Sequence, residues 1–402
     1  MSGTLPNRPQ VAAPGRAERV IRPESLPSDL NRSRRSRARF CILVSKHLPR
    51  PSLPCQPVET YTIKDIAREL GVSTSTVSRA LRGSYEISPE TKRLVMECAE
   101  RLNYRPNPIA LSLKGSASRA IGVILPQIAN YFFSQAINGI EAIAYNQGYH
   151  VIIFQSQESY EREIANVEQA MSRKVDGLLL SLSSETSDVS HLQEVLDRNV
   201  PIVLFDRVSA DLNVTKVVAD NFGGAFAATE HLLQAGRRRI AHLTIQPWLS
   251  ITQERLAGYR AALEKHGVEF DETLVRYGTF GPDEVGPMVD ELMGFDSPPD
   301  AFFTASDRLA VGCLKALRQR HLHIPADVSL IGFTNLNVAE YLDPALSTVV
   351  QPATQIGQIA AERLIDQIER KHRAKPIETV VIPTELIVRA SSGEMVNGEI
   401  GR

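Results

Sequence analysis

The sequence predicts a small all-α head joined to an α/β body built from two parallel-sheet units, and three observations carry that prediction. Between Tyr61 and Arg82 two short stretches show apolar residues at helical spacing, with a glycine between them. From Ala120 onward short apolar runs alternate with amphipathic helical stretches. The charge is also unevenly distributed. Residues 1–58 carry eleven Lys/Arg against three Asp/Glu and residues 59–119 ten against seven, so the rest of a chain with formal net charge −1 is acidic. A basic front end on an acidic body suits a protein whose front end meets a polyanion.

Residues 1–58 are rich in Arg, Pro and Ser and have almost no apolar periodicity, a composition that does not repay the entropy of ordering. Three readings compete for this stretch: a basic arm adding non-specific DNA affinity, a transit-peptide-like segment, or an upstream start codon chosen in error, with translation beginning near Val58. In the head, Ile63, Ile66, Ala67 and Leu70 form one apolar helix face, Gly71 permits the reversal, Val72 packs under the turn and Ser73 caps a second helix. Val77 and Leu81 face inward from that helix, and Thr74, Ser75, Ser78 and Arg79 are expected outside. Short hydroxyls and an arginine at the start of a second helix suit a major-groove reader, although a helical hairpin with a polar face has the same pattern. Ser88-Pro89-Glu90 opens a third helix with Leu94, Val95, Cys98, Ala99 and Leu102 inward, ending near Asn103-Tyr104. Asn107-Pro108 then caps a short helix, Ile109 to Lys114, closed by Gly115; a helix of under two turns needs a partner or a groove to form.

The body begins with a strand at Ile121–Pro126 and proceeds through helix Phe132–Tyr145, strand Val151–Phe154, helix Glu161–Arg173, strand Gly177–Leu182, helix His191–Arg198 and strand Pro201–Phe205. After Val217 the alternation restarts and runs to strand Val328–Phe333, followed by helix Gln355–Arg370 and one closing strand, Glu378–Val388. Domains are expected at 1–58 (tail), 59–105 (head), 106–118 (hinge helix and linker), 119–392 (body) and 393–402 (tail). Within the body, one unit takes about 119–218 with 350–375 and the other about 219–349 with 376–392.

Ligands of open α/β sheets bind beyond the carboxyl ends of the strands. Asn130-Tyr131-Phe132, Asp206-Arg207, Asp220-Asn221, Ser306-Asp307 and Thr334-Asn335 fall there, and Arg255 near a helix start is within reach. Short polar side chains, an arginine and an aromatic ring suit a hydroxyl-bearing ligand; the competing role for each is capping a helix or closing a loop.

The four cysteines, Cys41, Cys55, Cys98 and Cys313, are scattered, so neither a disulfide framework nor a zinc site is expected. Cys98 reads as core packing. No apolar run is long enough to span a membrane, and the cytoplasm is the expected compartment. No enzyme signature, metal-ligand spacing or cofactor fingerprint appears, so no enzyme activity, metal or cofactor is expected.

Thr62-Ile-Lys-Asp-Ile-Ala through Thr76-Val-Ser-Arg-Ala-Leu, then Leu102-Asn-Tyr-Arg-Pro-Asn and Ser112-Leu-Lys-Gly, make residues 60–392 resemble the LacI/GalR family of bacterial transcription regulators. The resemblance implies an all-α helix-turn-helix head and hinge helix on an α/β periplasmic-binding-protein-like body of two doubly wound parallel-sheet subdomains. It implies a homodimer on double-stranded, pseudo-palindromic operator DNA, with Thr74, Ser75 and Arg79 at base-reading positions and Thr62, Thr76, Ser78 and Arg82 beside them. Asn107, Ala110, Leu113 and Lys114 would belong to a hinge helix folding in the minor groove, Leu113 prying apart a central base step. A small-molecule effector, expected to be a carbohydrate, would sit between the subdomains and act on the hinge. Asn130, Tyr131, Phe132, Asp206, Arg207, Asp220, Arg255, Ser306, Asp307 and Thr334 would meet it. Trp248 would pack in the core or line the pocket. Departures from the family pattern are Arg82 where Asn is frequent, Ser306 before Asp307, and Thr334-Asn335 where sugar binders present Asp-Asp. A solute-binding protein with no DNA role is the alternative from another class.

Overall fold

The computed structural model describes residues 61–81, 83–104, 118–279, 284–370 and 376–393, with the backbone of 395–396 and 399–400. The expected N-terminal tail, Arg82, the hinge residues Asn107, Ala110, Leu113 and Lys114, and part of the C-terminal tail lie outside the described residues.

Three helices make the head: α1 (Ile63–Leu70), α2 (Thr74–Leu81) and α3 (Pro89–Arg101). They meet around Ile66, Ala67, Val77, Ala80, Val95, Cys98 and Ala99, the apolar positions of the sequence. The Asp65 carboxylate accepts from the Thr62 amide (2.8 Å) and hydroxyl (2.7 Å), which fixes the start of α1. Gly71 takes φ +63° and lets the chain turn. Ser73 Oγ accepts from the Thr76 amide at 3.1 Å, and Ser88 Oγ from the Thr91 amide at 3.2 Å. The second and third helices thus begin where their caps were expected.

The body holds two six-stranded sheets. The first contains β1 (Ala120–Leu125), β2 (His150–Gln155), β3 (Gly177–Leu180), β4 (Ile202–Phe205), β5 (Thr215–Ala219) and β11 (Thr379–Ile382), in the order β11-β5-β4-β3-β1-β2 and wholly parallel. The second contains β6 (Ile240–Thr244), β7 (Val275–Tyr277), β8 (Ala301–Thr304), β9 (Ser329–Thr334), β10 (Ser347–Val350) and β12 (Glu385–Ile387), in the order β12-β10-β9-β8-β6-β7. Only β12 runs antiparallel. The first sheet is covered by α4 (Tyr131–Asn146), α5 (Tyr160–Ser172), α6 (Ser190–Asp197) and α11 (Ala353–Arg370). The second is covered by α7 (Asn221–Gln234), α8 (Ser250–Lys265), α9 (Val285–Met293) and α10 (Asp307–Gln319). The strands read as unbroken apolar runs because both faces are buried.

Two strands escaped the sequence reading, Thr215–Ala219 and Ser347–Val350. Both are short, and Thr215, Ser347 and Thr348 make them look like loop, yet all three are buried. The single closing strand expected at Glu378–Val388 is two, and they belong to different sheets. Pro383 has no N–H to continue a ladder, and the chain crosses to the other subdomain there. Residues 376–382 therefore belong with the first sheet, not with the second as expected.

Three chain crossings join the subdomains: β5 into α7, β10 into α11, and β11 into β12. Two of them are tied together, since the Asp220 amide donates to Ile382 O (2.8 Å) and Thr384 Oγ1 donates to Asp220 O (3.0 Å).

Candidate DNA-reading surface and ligand cleft

On the head, Thr74, Ser75 and Arg79 are exposed and Thr76 is half-buried. Ser78, expected outside, is buried at 8% exposure. It lies only about 60° around the helix from Leu81, inside the stripe that Val77 and Ala80 complete. Thr62 is exposed but committed to Asp65. Arg79 Nη1 lies 3.3 Å from Glu86 Oε2, a neighbour that helical periodicity does not predict.

In the body, the carboxyl ends of the two sheets face a cleft of about 440 Å³. Asn130, Tyr131, Ser306, Asp307 and Thr334 line it, together with Gln127, Arg308 and Asn337. Phe132 is buried in the core and only borders an adjoining depression. Capping and site roles coexist here. Asn130 Oδ1 accepts from the Phe132 amide (3.0 Å), Ser306 Oγ from the Leu309 amide (3.3 Å) and Asp220 Oδ1 from the Gly223 amide (2.8 Å).

The charged residues expected to grip a ligand are engaged with the protein instead. Arg207 is clamped by both oxygens of Glu158, at 2.6 and 3.1 Å, and Glu158 also accepts from the Ser184 amide at 2.8 Å. Arg255, 3% exposed, donates from Nε to Asn221 Oδ1 (2.9 Å) and from Nη1 to Ala305 O (2.5 Å), with its guanidinium 3.9 Å from the Phe333 ring centroid. Burial lowers the Arg255 pKa to about 10, which leaves it cationic at neutral pH. Asp307 accepts from Thr348 Oγ1 and from the Leu336 amide, both at 2.7 Å; burial still pushes its carboxyl up to about 6. Burial raises Asp206 as well, against the pull of Arg207 and Arg255.

Backbone strain sits at matching places in the two sheets. Asp206, just after β4, has φ +61°; Thr334 at the end of β9 has φ +118° and Asn335 φ +62°. A β-branched residue at such an angle is unfavourable and persists only where its surroundings hold it. Thr334 Oγ1 donates to Gln351 Oε1 (3.2 Å), whose amide donates to Asp206 Oδ1 (3.4 Å), so the strained positions of both sheets share one chain of contacts.

Three further hydrogen bonds bridge the subdomains: Arg308 Nη1 to Gln127 Oε1 (2.9 Å), Trp248 Nε1 to Ser184 O (2.9 Å) and the Val208 amide to Ser250 Oγ (3.2 Å). Trp248, expected in the core or in the pocket lining, is in neither the core nor the lining of this cleft but 49% exposed, because it stands in the turn after Pro247 that precedes α8. Sequence reasoning also missed Gln127, Glu158 and Gln351. The last follows a strand that was itself missed, and nothing in the local pattern marks Glu158. Ser156, Ser181 and Gln246, next to strand ends, hold buried side-chain oxygens with no protein partner among the described residues.

Among the described residues no group of His, Cys, Asp and Glu is placed to hold a metal ion, and no helix is long and apolar enough to cross a membrane. A three-helix, helix-turn-helix head with a two-lobed, cleft-bearing body is the architecture of a DNA-binding regulator. Residues 62–107 match the profile of bacterial regulatory proteins, lacI family, and residues 229–392 that of a periplasmic binding protein-like domain. The HTH-type transcriptional repressor PurR of Vibrio campbellii is 34% identical over 330 residues, covering 82% of this chain and 97% of the relative. Among solved structures, the CelR–cellobiose complex is 30% identical with TM-score 0.64, covering 82% of this chain and 99% of that one. The lac repressor dimer bound to operator and the anti-inducer ONPF is 25% identical with TM-score 0.73, covering 83% and 99%. The chain belongs to the LacI family of DNA-binding transcriptional repressors, proteins that are not enzymes.

Proposed function

We propose that this repressor reads operator bases with Thr74, Ser75 and Arg79, and that a neutral, hydroxyl-rich effector, a sugar or sugar derivative, binds the body cleft and controls operator affinity. The cleft carries the ligand reading. The charged residues of its lining, Asp307 and Arg308, bond to Thr348 and Gln127, while the amide, hydroxyls and ring of Asn130, Tyr131, Ser306 and Thr334 keep donors and acceptors beyond their capping bonds to meet a ligand. An uncharged polyol suits such a lining better than a strong anion does. A cellobiose complex of a relative supports the same class. The departure at Thr334-Asn335 removes a carboxylate that would accept from vicinal hydroxyls, which argues for a ligand different from those of relatives with Asp-Asp there. The effector then acts through differential affinity for two arrangements of the subdomains, a coupling of about 1–3 kcal/mol in typical cases. The hinge residues Asn107, Ala110, Leu113 and Lys114 are its proposed target, with Leu113 entering the minor groove.

Gel mobility shift with DNA from the region upstream of the gene tests the first half: Arg79→Ala and Leu113→Ala should each weaken binding, and unchanged binding by both overturns it. A thermal-shift screen of sugars and sugar acids tests the second. A ligand at a hundredfold excess over Kd stabilises by about 2.7 kcal/mol. A melting point moved by another metabolite class but by no sugar would overturn the carbohydrate assignment.

A further inference from the structure

We propose that Glu86 is a specificity-determining positioning residue: its carboxylate holds the Arg79 guanidinium in a base-reading pose and keeps it off the DNA phosphates. The inference rests on the reading of Arg79 as a base contact.

Arg79 projects from the exposed face of α2, and its Nη1 lies 3.3 Å from Glu86 Oε2, with both side chains about half exposed. An exposed pair of this kind contributes little to folding. Its placement is nevertheless built by the backbone. Gly83, at φ +70°, donates its amide to Ala80 O (3.0 Å), and the Ser84 amide donates to Arg79 O itself (3.1 Å). The Ile87 amide donates to Ser84 O (3.3 Å), and the Glu86 amide to Ser84 Oγ (3.4 Å). Ile87 packs against the head core, and Ser88 caps α3 immediately afterwards. The turn is thus folded back on the end of the recognition helix and anchored on both sides, which leaves Glu86 beside Arg79.

A guanidinium offers five N–H donors in a rigid planar fork. With Nη1 held near the Glu86 carboxylate, another edge of the guanidinium can face the two acceptors of guanine, O6 and N7. Without the carboxylate, the same arginine can swing to a phosphate, the acceptor that dominates sequence-independent binding. A negative charge on that flank opposes phosphate approach and narrows the rotamers the arginine must give up on docking. Removing it should raise affinity for any DNA while lowering discrimination at one base pair, a combination that loss of fold cannot produce.

The test uses the full-length protein as wild type, Arg79→Ala, Glu86→Gln and Glu86→Asp. Each selects from a random duplex pool, and each is then titrated at several salt concentrations against the best wild-type duplex and a scrambled one. Arg79→Ala should flatten the preference at one position of each half-site. Glu86→Gln should lower guanine preference at that same position about three- to tenfold, part of the discrimination a bidentate contact provides. It should also bind the scrambled duplex more tightly and steepen the slope of log K against log salt by about 0.9 per head, one added phosphate contact. Glu86→Asp should recover part of the preference. If Arg79→Ala flattens a position while Glu86→Gln changes neither that position nor the salt slope, the role of Glu86 falls alone. A preference altered at a different base pair makes Glu86 a base contact in its own right and also overturns the positioning role. If Arg79→Ala changes no position, the base-reading assignment itself fails, and this proposal with it.

Discussion

The head and the body keep their functional groups under opposite conditions. On the head, Thr74, Ser75 and Arg79 stand in solvent, and the one ion pair Arg79 makes is exposed on both sides. In the body, Arg255, Asp206 and Asp307 are buried and bonded to their surroundings before any ligand arrives. The head can therefore change these exposed residues at little cost to its fold. The buried charges of the body cannot change so freely, because they are bonded into the surrounding fold.

The largest expected effect tests that contrast directly. Arg255→Ala strands two buried acceptors, Asn221 Oδ1 and Ala305 O, each at about 1–3 kcal/mol, and should be the most costly of these changes in urea unfolding. Arg79→Ala should stay within about 0.5 kcal/mol of wild type. Equal costs would erase the distinction.

Asp307 gives the contrast a pH signature. Its folded carboxyl titrates at about 6 against an ordinary 3.8. Below both values the group is neutral in either state and has no differential effect. Between them the unfolded chain releases its proton while the folded chain retains it, so stability falls as pH rises through that window, by up to about 3 kcal/mol, and levels off above 6. Urea midpoints across this range should show Asp307→Asn without that fall; parallel curves for the two proteins would contradict it.

Within the body, each lobe has a helix pair in backbone contact through glycine. A Cβ at Gly139 would come within 2.1 Å of Thr354 O, and one at Gly258 within 2.3 Å of Phe222 O. Gly139→Ala and Gly258→Ala should each destabilise by about 1–3 kcal/mol, read from chemical denaturation, and should leave binding to a scrambled duplex by the surviving folded fraction unchanged. In the head, Ser73→Ala removes the cap of α2 and should cost about 1 kcal/mol by thermal unfolding of that unit, with a larger effect on DNA binding than on the body. The smallest effect concerns Trp248, the single tryptophan of the chain. Trp248→Phe loses one hydrogen bond, about 0.5–1.5 kcal/mol. Effector added to wild type should shift Trp248 fluorescence, since its N–H bond to Ser184 joins the lobes; an emission spectrum blind to a bound effector would show that this bridge takes no part in the response.

The same contrast explains what the sequence disclosed. The exposed face of α2 was legible because periodicity separates outside from inside on a helix, and only Ser78, at the margin of the stripe, was misplaced. The alternation of strands and helices was legible wherever apolar runs were long. Thr215–Ala219 and Ser347–Val350 were missed because buried hydroxyls in them are satisfied by partners distant in sequence, such as Arg389 O and Ser392 Oγ for the Ser347 hydroxyl. In the cleft, polar residues at strand ends pointed to the right neighbourhood but could not show which of them were engaged. Arg207 looked available until its partner Glu158 was seen, 49 residues earlier in the chain. Trp248 looked like core because aromatic rings in apolar stretches usually are, and only the turn after Pro247 reveals otherwise.

The strand Thr379–Ile382 sits at the edge of a sheet whose other members lie between Ala120 and Ala219. For a chain made from its N-terminus onward, the reading head and five strands of that sheet leave the ribosome long before the sixth exists. The second lobe must be synthesised in between, and its own last strand, Glu385–Ile387, comes later still. Neither lobe reaches its final strand count until almost the whole body has been translated, so a nascent chain carries a complete reading head well before it carries a complete sensor.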